Sequence, residues 1–468
     1  MKEVLLVFPH ANSGVDGPIS MNAQNQFTTF KKYKDRFLQG IIKKAQFAIP
    51  PYGLMILGSY EHPEIRFKLC DTRFDKLPLD GDWSLVGISV HSGAATRAFE
   101  IARMFREKGF RVVLGGPHVS LFPEISKRHA DAIVIGESEQ IWPILLEDLL
   151  KNTLQSVYKA EDFPKLNLVP VLNKNWFNVG NYFTTNLIQT SRGCPYYCDF
   201  CNVSLMNGRK IRHRRVEHVV KDVETQLRAD KRVFFFVDDT INANPNYAIE
   251  LFQALIPYKI YWVGQATVAL GSQPKVLQAL ADSGCKGLLI GIEGVTDEAY
   301  KAHQKQQNSA KTLRYNVRQI RAAGISVYGS MIYGLDGDTL QTAEAIEQFI
   351  DEAEIDIPGV NLLRPIPGTT LFQRLAREKR LLFDENDPSA FRYSWAQEIQ
   401  YRPKNIKLED FVVSYRRLTR KIYTFENALK RAFNAPAINL AILMFNLAYI
   451  HMYGLSRKDL AYQLNYHL

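Results

Sequence analysis

Short apolar runs alternate with amphipathic stretches through most of this 468-residue chain, and they do so in two separate series. In the first series the apolar runs are Val4-Leu5-Leu6-Val7-Phe8, Phe67-Lys68-Leu69-Cys70, Leu85-Val86-Gly87-Ile88-Ser89-Val90, Val112-Val113-Leu114 and Ala132-Ile133-Val134-Ile135. Helical patterns separate them at residues 52–60, 94–108 and 138–150. Brief apolar runs spaced by helices mean a parallel sheet covered on both faces. Residues 1–150 are therefore expected to form a doubly wound, Rossmann-like domain, with 11–49 as a long insert over its carboxyl edge. The alternation lapses over 151–181, which carries Pro164, Pro170 and several Asn and reads as a linker. It resumes with strand candidates at 187–190, 233–237, 261–265, 287–292, 326–332 and 360–363, so 182–379 fits a partial (β/α)6 barrel of TIM type. After Leu371 the pattern turns helical, and 380–468 is expected to be a helical C-terminal domain that covers the barrel mouth and helps choose the substrate.

Composition narrows the class. Hydrophobic residues make up 46% and charged residues 23%, which excludes a disordered chain. Five cysteines, an odd and sparse count, argue against a disulfide framework and for a reducing cytoplasm. The opening MKEVLLVFPH has no signal-peptide pattern. A net charge of +10 permits nucleic acid, acidic membrane surfaces or anionic substrates and selects none.

Three of the cysteines stand together, in Ser191-Arg192-Gly193-Cys194-Pro195-Tyr196-Tyr197-Cys198-Asp199-Phe200-Cys201, directly after the first barrel strand. Three thiolates on one loop can hold one metal centre. A structural zinc would need a fourth ligand, which His213 or His218 could supply. On a four-iron cluster, three cysteines leave one iron open for a cofactor or substrate. Cys70 and Cys285 lie in or beside apolar strands and read as core residues.

At this loop the chain resembles the radical SAM superfamily. The resemblance implies that Cys194, Cys198 and Cys201 hold a [4Fe–4S] cluster whose open iron chelates S-adenosylmethionine (SAM), with Phe200 by the adenine. It implies that Glu293, in Gly291-Ile292-Glu293-Gly294, meets the SAM ribose, although Gly294 stands where serine is usual. Asp238 or Asp239, ending the second strand, would meet the SAM amino group. Gly334-Leu335-Asp336-Gly337-Asp338-Thr339 resembles the fifth-strand ending, with Asp336 in place of the usual proline, and 364–369 resembles the turn that caps the SAM pocket.

A doubly wound sheet ahead of such a barrel resembles the cobalamin-binding subclass. The resemblance implies cobalamin contacts from Ser89, Gly115, Gly116, Pro117, His118, Gly136 and Glu137, with His118 lining the pocket. Phe8-Pro9-His10-Ala11-Asn12-Ser13-Gly14 departs from the Asp-x-His-x-x-Gly element of cobalamin proteins that ligate cobalt with histidine, so no histidine is expected below cobalt. The tail around 410–423 resembles that of hopanoid-type methylases. The implied activity is methylation of an unactivated carbon of a small or lipid-like substrate through a 5′-deoxyadenosyl radical and methylcobalamin, with a flavodoxin- or ferredoxin-type reductant. The alternatives are cyclisation or rearrangement without methyl transfer, an RNA-modifying radical SAM enzyme, and a zinc-binding module. The basic run 209–215 could meet phosphates, but a loop flanking the cluster is the preferred reading, so nucleic acid is not favoured. The apolar stretch 437–453 is short for a membrane span and contains Asn439, Asn446 and His451. It is expected to be a buried helix, with membrane-surface contact or a wall for a greasy substrate as the other options.

Overall fold

A computed structural model describes residues 1–10, 49–227, 232–303, 310–384 and 399–455. The insert expected over the first sheet lies outside these residues, apart from Ile49. The chain divides into two compact units, one holding Met1–Thr185 and the other beginning at Asn186.

The first unit is a six-stranded parallel sheet of β1 (Lys2–Phe8), β2 (Ile65–Asp71), β3 (Leu85–Ser89), β4 (Val112–Gly115), β5 (Ala132–Ile135) and β6 (Val157–Lys159), in the order β2-β1-β3-β4-β5-β6. The two-residue period of a strand sends Leu5 and Val7 to one face and Val4 and Leu6 to the other. Ala98, Ile101, Ala102 and Phe105 of the helix Ala95–Glu107 pack on the first face. Trp142, Leu145, Leu146 and Leu149 of Trp142–Lys151 pack on the second. β6 falls inside the stretch read as linker. Its alternation is only three residues long, too short to register as a strand, yet it pairs in parallel with β5. The strand order reverses between β1 and β3, and sheets of this kind take ligands outside the carboxyl ends at such a reversal.

The second unit contains β7 (Leu187–Ile188), β8 (Ser191–Arg192), β9 (Arg212–His213), β10 (Val233–Phe236), β11 (Tyr261–Thr267), β12 (Cys285–Glu293), β13 (Ser326–Tyr333) and β14 (Ile357–Leu362). Six of these form a parallel sheet ordered β14-β13-β12-β11-β10-β7, while β8 and β9 form a separate antiparallel pair. The expected strands are all present, and β14 starts earlier, taking in Pro358 and Gly359.

The tail supplies the helices Leu408–Ile422, Phe425–Asn434 and Asn439–Leu455. Phe411, Tyr415, Leu418, Ile422 and Tyr453 belong to the same apolar core as β10–β14, so the tail completes this unit rather than forming a domain of its own. Its tyrosines satisfy the backbone of β14. Val360 donates its N–H to Tyr423 Oη (3.1 Å), and its carbonyl accepts from Tyr415 (3.0 Å) and Tyr453 (2.6 Å). Pro358 C=O accepts from Tyr423 (3.0 Å). Hydroxyl groups thus stand where a further strand would pair, one way to protect a sheet edge. Asn446 explains a polar residue in the apolar stretch: fully buried, it donates to Asp356 C=O (2.9 Å) and lies 3.2 Å from Arg431. No described helix is long and apolar enough to cross a membrane.

Candidate active site

The cysteine loop is rooted by Asp238. This fully buried carboxylate, at the end of β10, accepts from Thr190 N–H (3.0 Å), Thr190 Oγ1 (2.7 Å) and Ser191 Oγ (2.7 Å). Burial raises its pKa and those hydrogen bonds pull it back. Its lone pairs are spent on the loop root. The neighbouring Asp239 is only partly buried and accepts from Asn207 Nδ2 at 3.2 Å. Burial pushes its carboxyl up to about 6, opposed by Asn207 and Arg192. The structure thus separates two aspartates that the sequence could not rank: Asp238 is buried and spent on the loop root, while Asp239 is partly exposed.

Gly193 turns the chain into the loop with φ +96°, and a Cβ there would lie 2.5 Å from the Lys210 carbonyl, so only glycine fits. Cys194 N–H then donates to Gly208 C=O (3.2 Å), and Cys201 N–H closes a turn onto Cys198 C=O (3.1 Å). All three thiols are partly exposed. Burial, then the neighbouring cysteines, raise Cys194 and push Cys201 up to about 12; metal ligation reverses this by taking the proton. Among the described residues, no three His, Cys, Asp or Glu side chains converge on a single point. His213 lies with its ring 4.1 Å from that of Tyr247 and Nε2 3.3 Å from Asn244.

Phe200 packs against an apolar group that includes Leu335, Leu371 and Tyr401. Glu293 ends β12 just past a register shift, with φ +64°. A left-handed glutamate at a strand end is strained, and strain of this kind gathers at ligand sites. Gly294 follows because a Cβ there would meet the Ala299 Cβ at 2.7 Å. The basic run is engaged internally. Arg209 lies 4.0 Å over the Tyr197 ring, Arg212 donates to Asn207 C=O (3.1 Å), and Arg214 pairs with Asp222 at 2.5 Å.

In the first unit, Ser89, Gly115 and Gly116 come together at the carboxyl ends of β3 and β4. Val90 N–H donates to Gly115 C=O (2.7 Å). Gly116 has φ +102°, and a Cβ there would lie 3.0 Å from Val90 backbone atoms and 3.4 Å from Ser89 Oγ. Pro117 opens the helix Pro117–Leu121. Gly136, also at positive φ, donates to Ser120 Oγ (2.9 Å) with open space on its Cβ side, and Glu137 follows, partly buried. Among the described residues this edge carries two glycines at positive φ, Gly116 close against Val90 and Gly136 with open space on its Cβ side. His118, expected to line that pocket, is instead fully buried, its ring beside Phe99 and Phe122, because the helix begun by Pro117 turns it inward. Burial lowers its pKa to about 4. His10 follows β1, its N–H on Thr72 Oγ1 (2.8 Å); burial and Arg73 lower its pKa.

Sequence reasoning missed a buried polar group around the cysteine loop: Asp199, His303, Asp336, Arg374 and Arg380. Asp336 was singled out only as a departure from proline, and nothing local marks His303.

The three-cysteine loop follows the first strand of a six-stranded parallel sheet, and the radical SAM superfamily pattern matches residues 188–350. A domain of unknown function, DUF4070, matches 369–438. The bacteriochlorophyllide d C-8(2)-methyltransferase of Chlorobaculum tepidum is 28% identical over 430 residues, covering 88% of this chain and 92% of that one. The hopanoid C-2 methylase of Rhodopseudomonas palustris is 29% identical over 355 residues, covering 73% and 67%. Among solved structures, the radical SAM methyltransferase TsrM from Kitasatospora setae superposes with a TM-score of 0.69 at 16% identity, covering 99% of this chain and all of that one, and so shares the fold. The chain is thus similar over most of its length to curated methyltransferases and carries the radical SAM pattern over 188–350.

Proposed function

We propose that this protein is a cobalamin-dependent radical SAM enzyme that methylates an unactivated carbon of a small, ring-containing or lipid-like molecule. The observation that carries the reading is the Cys194, Cys198, Cys201 loop on its sheet, in one chain with a second parallel sheet whose strand-end edge is lined by glycine. When bound, the cluster and SAM supply one-electron cleavage and hydrogen abstraction, and cobalamin carries the methyl group. The protein binds, orients and excludes water. The three cysteines would hold the cluster, Asp239 the SAM amino group, Glu293 the ribose diol and Phe200 the adenine edge. Ser89, Gly115, Gly116, Pro117, Gly136 and Glu137 would cradle cobalamin. The loop after β13 is backed by Tyr401 and Phe411, whose rings crowd Gly334 and help keep water out.

The relatives' names point to a tetrapyrrole or a hopanoid, both largely apolar ring systems. Exposed Phe433 and Leu440 in the tail suit a protein that meets lipid-like molecules or a bilayer surface. A flavodoxin- or ferredoxin-type protein would deliver the electron. The test is anaerobic reconstitution of the full chain with iron, sulfide and cobalamin. Cluster absorbance, retained cobalamin and 5′-deoxyadenosine from SAM are expected. A protein that keeps zinc and rejects cobalamin would overturn the reading.

A further inference from the structure

Asp199 lies between Cys198 and Cys201, and its polar groups face elements other than its own. Its N–H donates to His303 C=O (3.4 Å), and its carbonyl accepts from Leu371 N–H (2.9 Å). Oδ1 accepts from His303 Nδ1 at 2.8 Å, and Oδ2 lies 2.8 Å from the Arg374 guanidinium. Both the Asp199 and His303 side chains are 1% exposed. The far nitrogen of the same imidazole, Nε2, accepts the Asp336 N–H at 2.9 Å. A nitrogen that accepts carries no proton, so the ring hydrogen sits on Nδ1 and faces Asp199. The Asp336 carboxylate in turn pairs with Arg374 (3.0 Å) and Arg380 (2.7 Å). Proline at position 336 could make none of these contacts, having neither an N–H nor a carboxylate.

We propose that His303 is a positioning residue for the cluster, holding Asp199, and through it the Cys198–Cys201 turn, in register with the loops that follow β12, β13 and β14. The inference rests on the cluster reading. A part-exposed loop is free to move by default, and two of the three thiolates sit on this turn. Its orientation would therefore bear on how a cluster held by these thiolates is presented to its cofactor. Partners one step behind a metal ligand act this way generally, and their loss costs about 10–100-fold in affinity or activity.

Two full-length variants split the two bonds of the ring. His303→Asn keeps a donor where Nδ1 stands and loses the acceptor; His303→Gln keeps an acceptor where Nε2 stands and loses the donor to Asp199. Each is reconstituted beside the unaltered protein, its iron and sulfide counted, and the reduced cluster's electron paramagnetic resonance recorded with and without SAM. The Asn variant should reproduce the unaltered spectrum and its change on SAM addition. The Gln variant should keep its iron but show shifted or broadened signals and SAM binding weakened about 10-fold or more. A Gln variant with full iron, an unaltered spectrum and unaltered SAM affinity overturns the proposal. If that variant does not fold, Asp199→Ala carries the same expectation and the same refutation, because it breaks the bond from the other side. Absence of iron from the unaltered protein would overturn the cluster reading itself, and the inference with it.

Discussion

Gly294 stands where the resemblance suggested serine, and the Ala299 Cβ is the reason. Gly294→Ser should cost about 1–3 kcal/mol by overpacking, read as a lower Tm, because the obstacle is a helix-borne methyl that cannot swing aside. The cysteines behave differently. Cys198→Ala should leave the Tm nearly unchanged, since the thiol is part-exposed, yet abolish 5′-deoxyadenosine formation and lower bound iron. Undiminished SAM cleavage by that variant would remove the cluster assignment. The cysteine loop is legible in the sequence because its motif is contiguous. The contact of His303 with Asp199 is not, because it spans 104 positions. The sequence pattern at His118 pointed to the pocket, yet the inward turn of its helix decides otherwise.

Elements were legible where periodicity persists over several residues, as in β1, and illegible in β6, whose three residues are held by pairing with β5. The tail was legible as helical, but its tyrosine contacts with β14 depend on packing that no local pattern reveals. Tyr423→Phe would strand the buried Val360 N–H and Pro358 C=O, and should cost about 1–3 kcal/mol in denaturant unfolding. Tyr258→Phe, whose hydroxyl meets the exposed Glu224, should change stability by less than about 0.5 kcal/mol. The loop after β13 carries a pH dependence. Burial pushes Asp338 up to about 7, although it accepts from Gly334 N–H (2.8 Å) and Leu335 N–H (2.9 Å). Between about pH 4 and 7 the folded chain holds a proton on this group that the unfolded chain has released. Stability from this site is therefore greatest below about pH 4 and falls as pH rises to about 7, by at most about 1.4 kcal/mol per unit. Asp338→Asn keeps an acceptor for both N–H groups and should flatten that slope; identical pH profiles for the two proteins would refute the assignment.

At the scale of the whole molecule, two parallel sheets in one chain were legible because both repeat the same strand–helix alternation. What the second strand-end site holds rests on glycine placement and on kinship. If it holds cobalamin, the Co(II) form should show no nitrogen superhyperfine splitting in its electron paramagnetic resonance, since His10 departs from the ligating pattern and its backbone is anchored on Thr72. Splitting that vanishes in His10→Ala would contradict this. On the proposed function, one chain joins radical SAM chemistry to methyl transfer through cobalamin. The most direct measurement follows the methyl group itself. Reconstituted full-length protein is given reduced cobalamin and SAM carrying a trideuterated methyl group, and the protein-bound cobalamin is extracted and weighed by mass spectrometry. Trideuteromethylcobalamin is expected, with 5′-deoxyadenosine from a separate share of the SAM once the cluster is reduced. Cobalamin that stays unmethylated while SAM is cleaved to 5′-deoxyadenosine would contradict the proposed function.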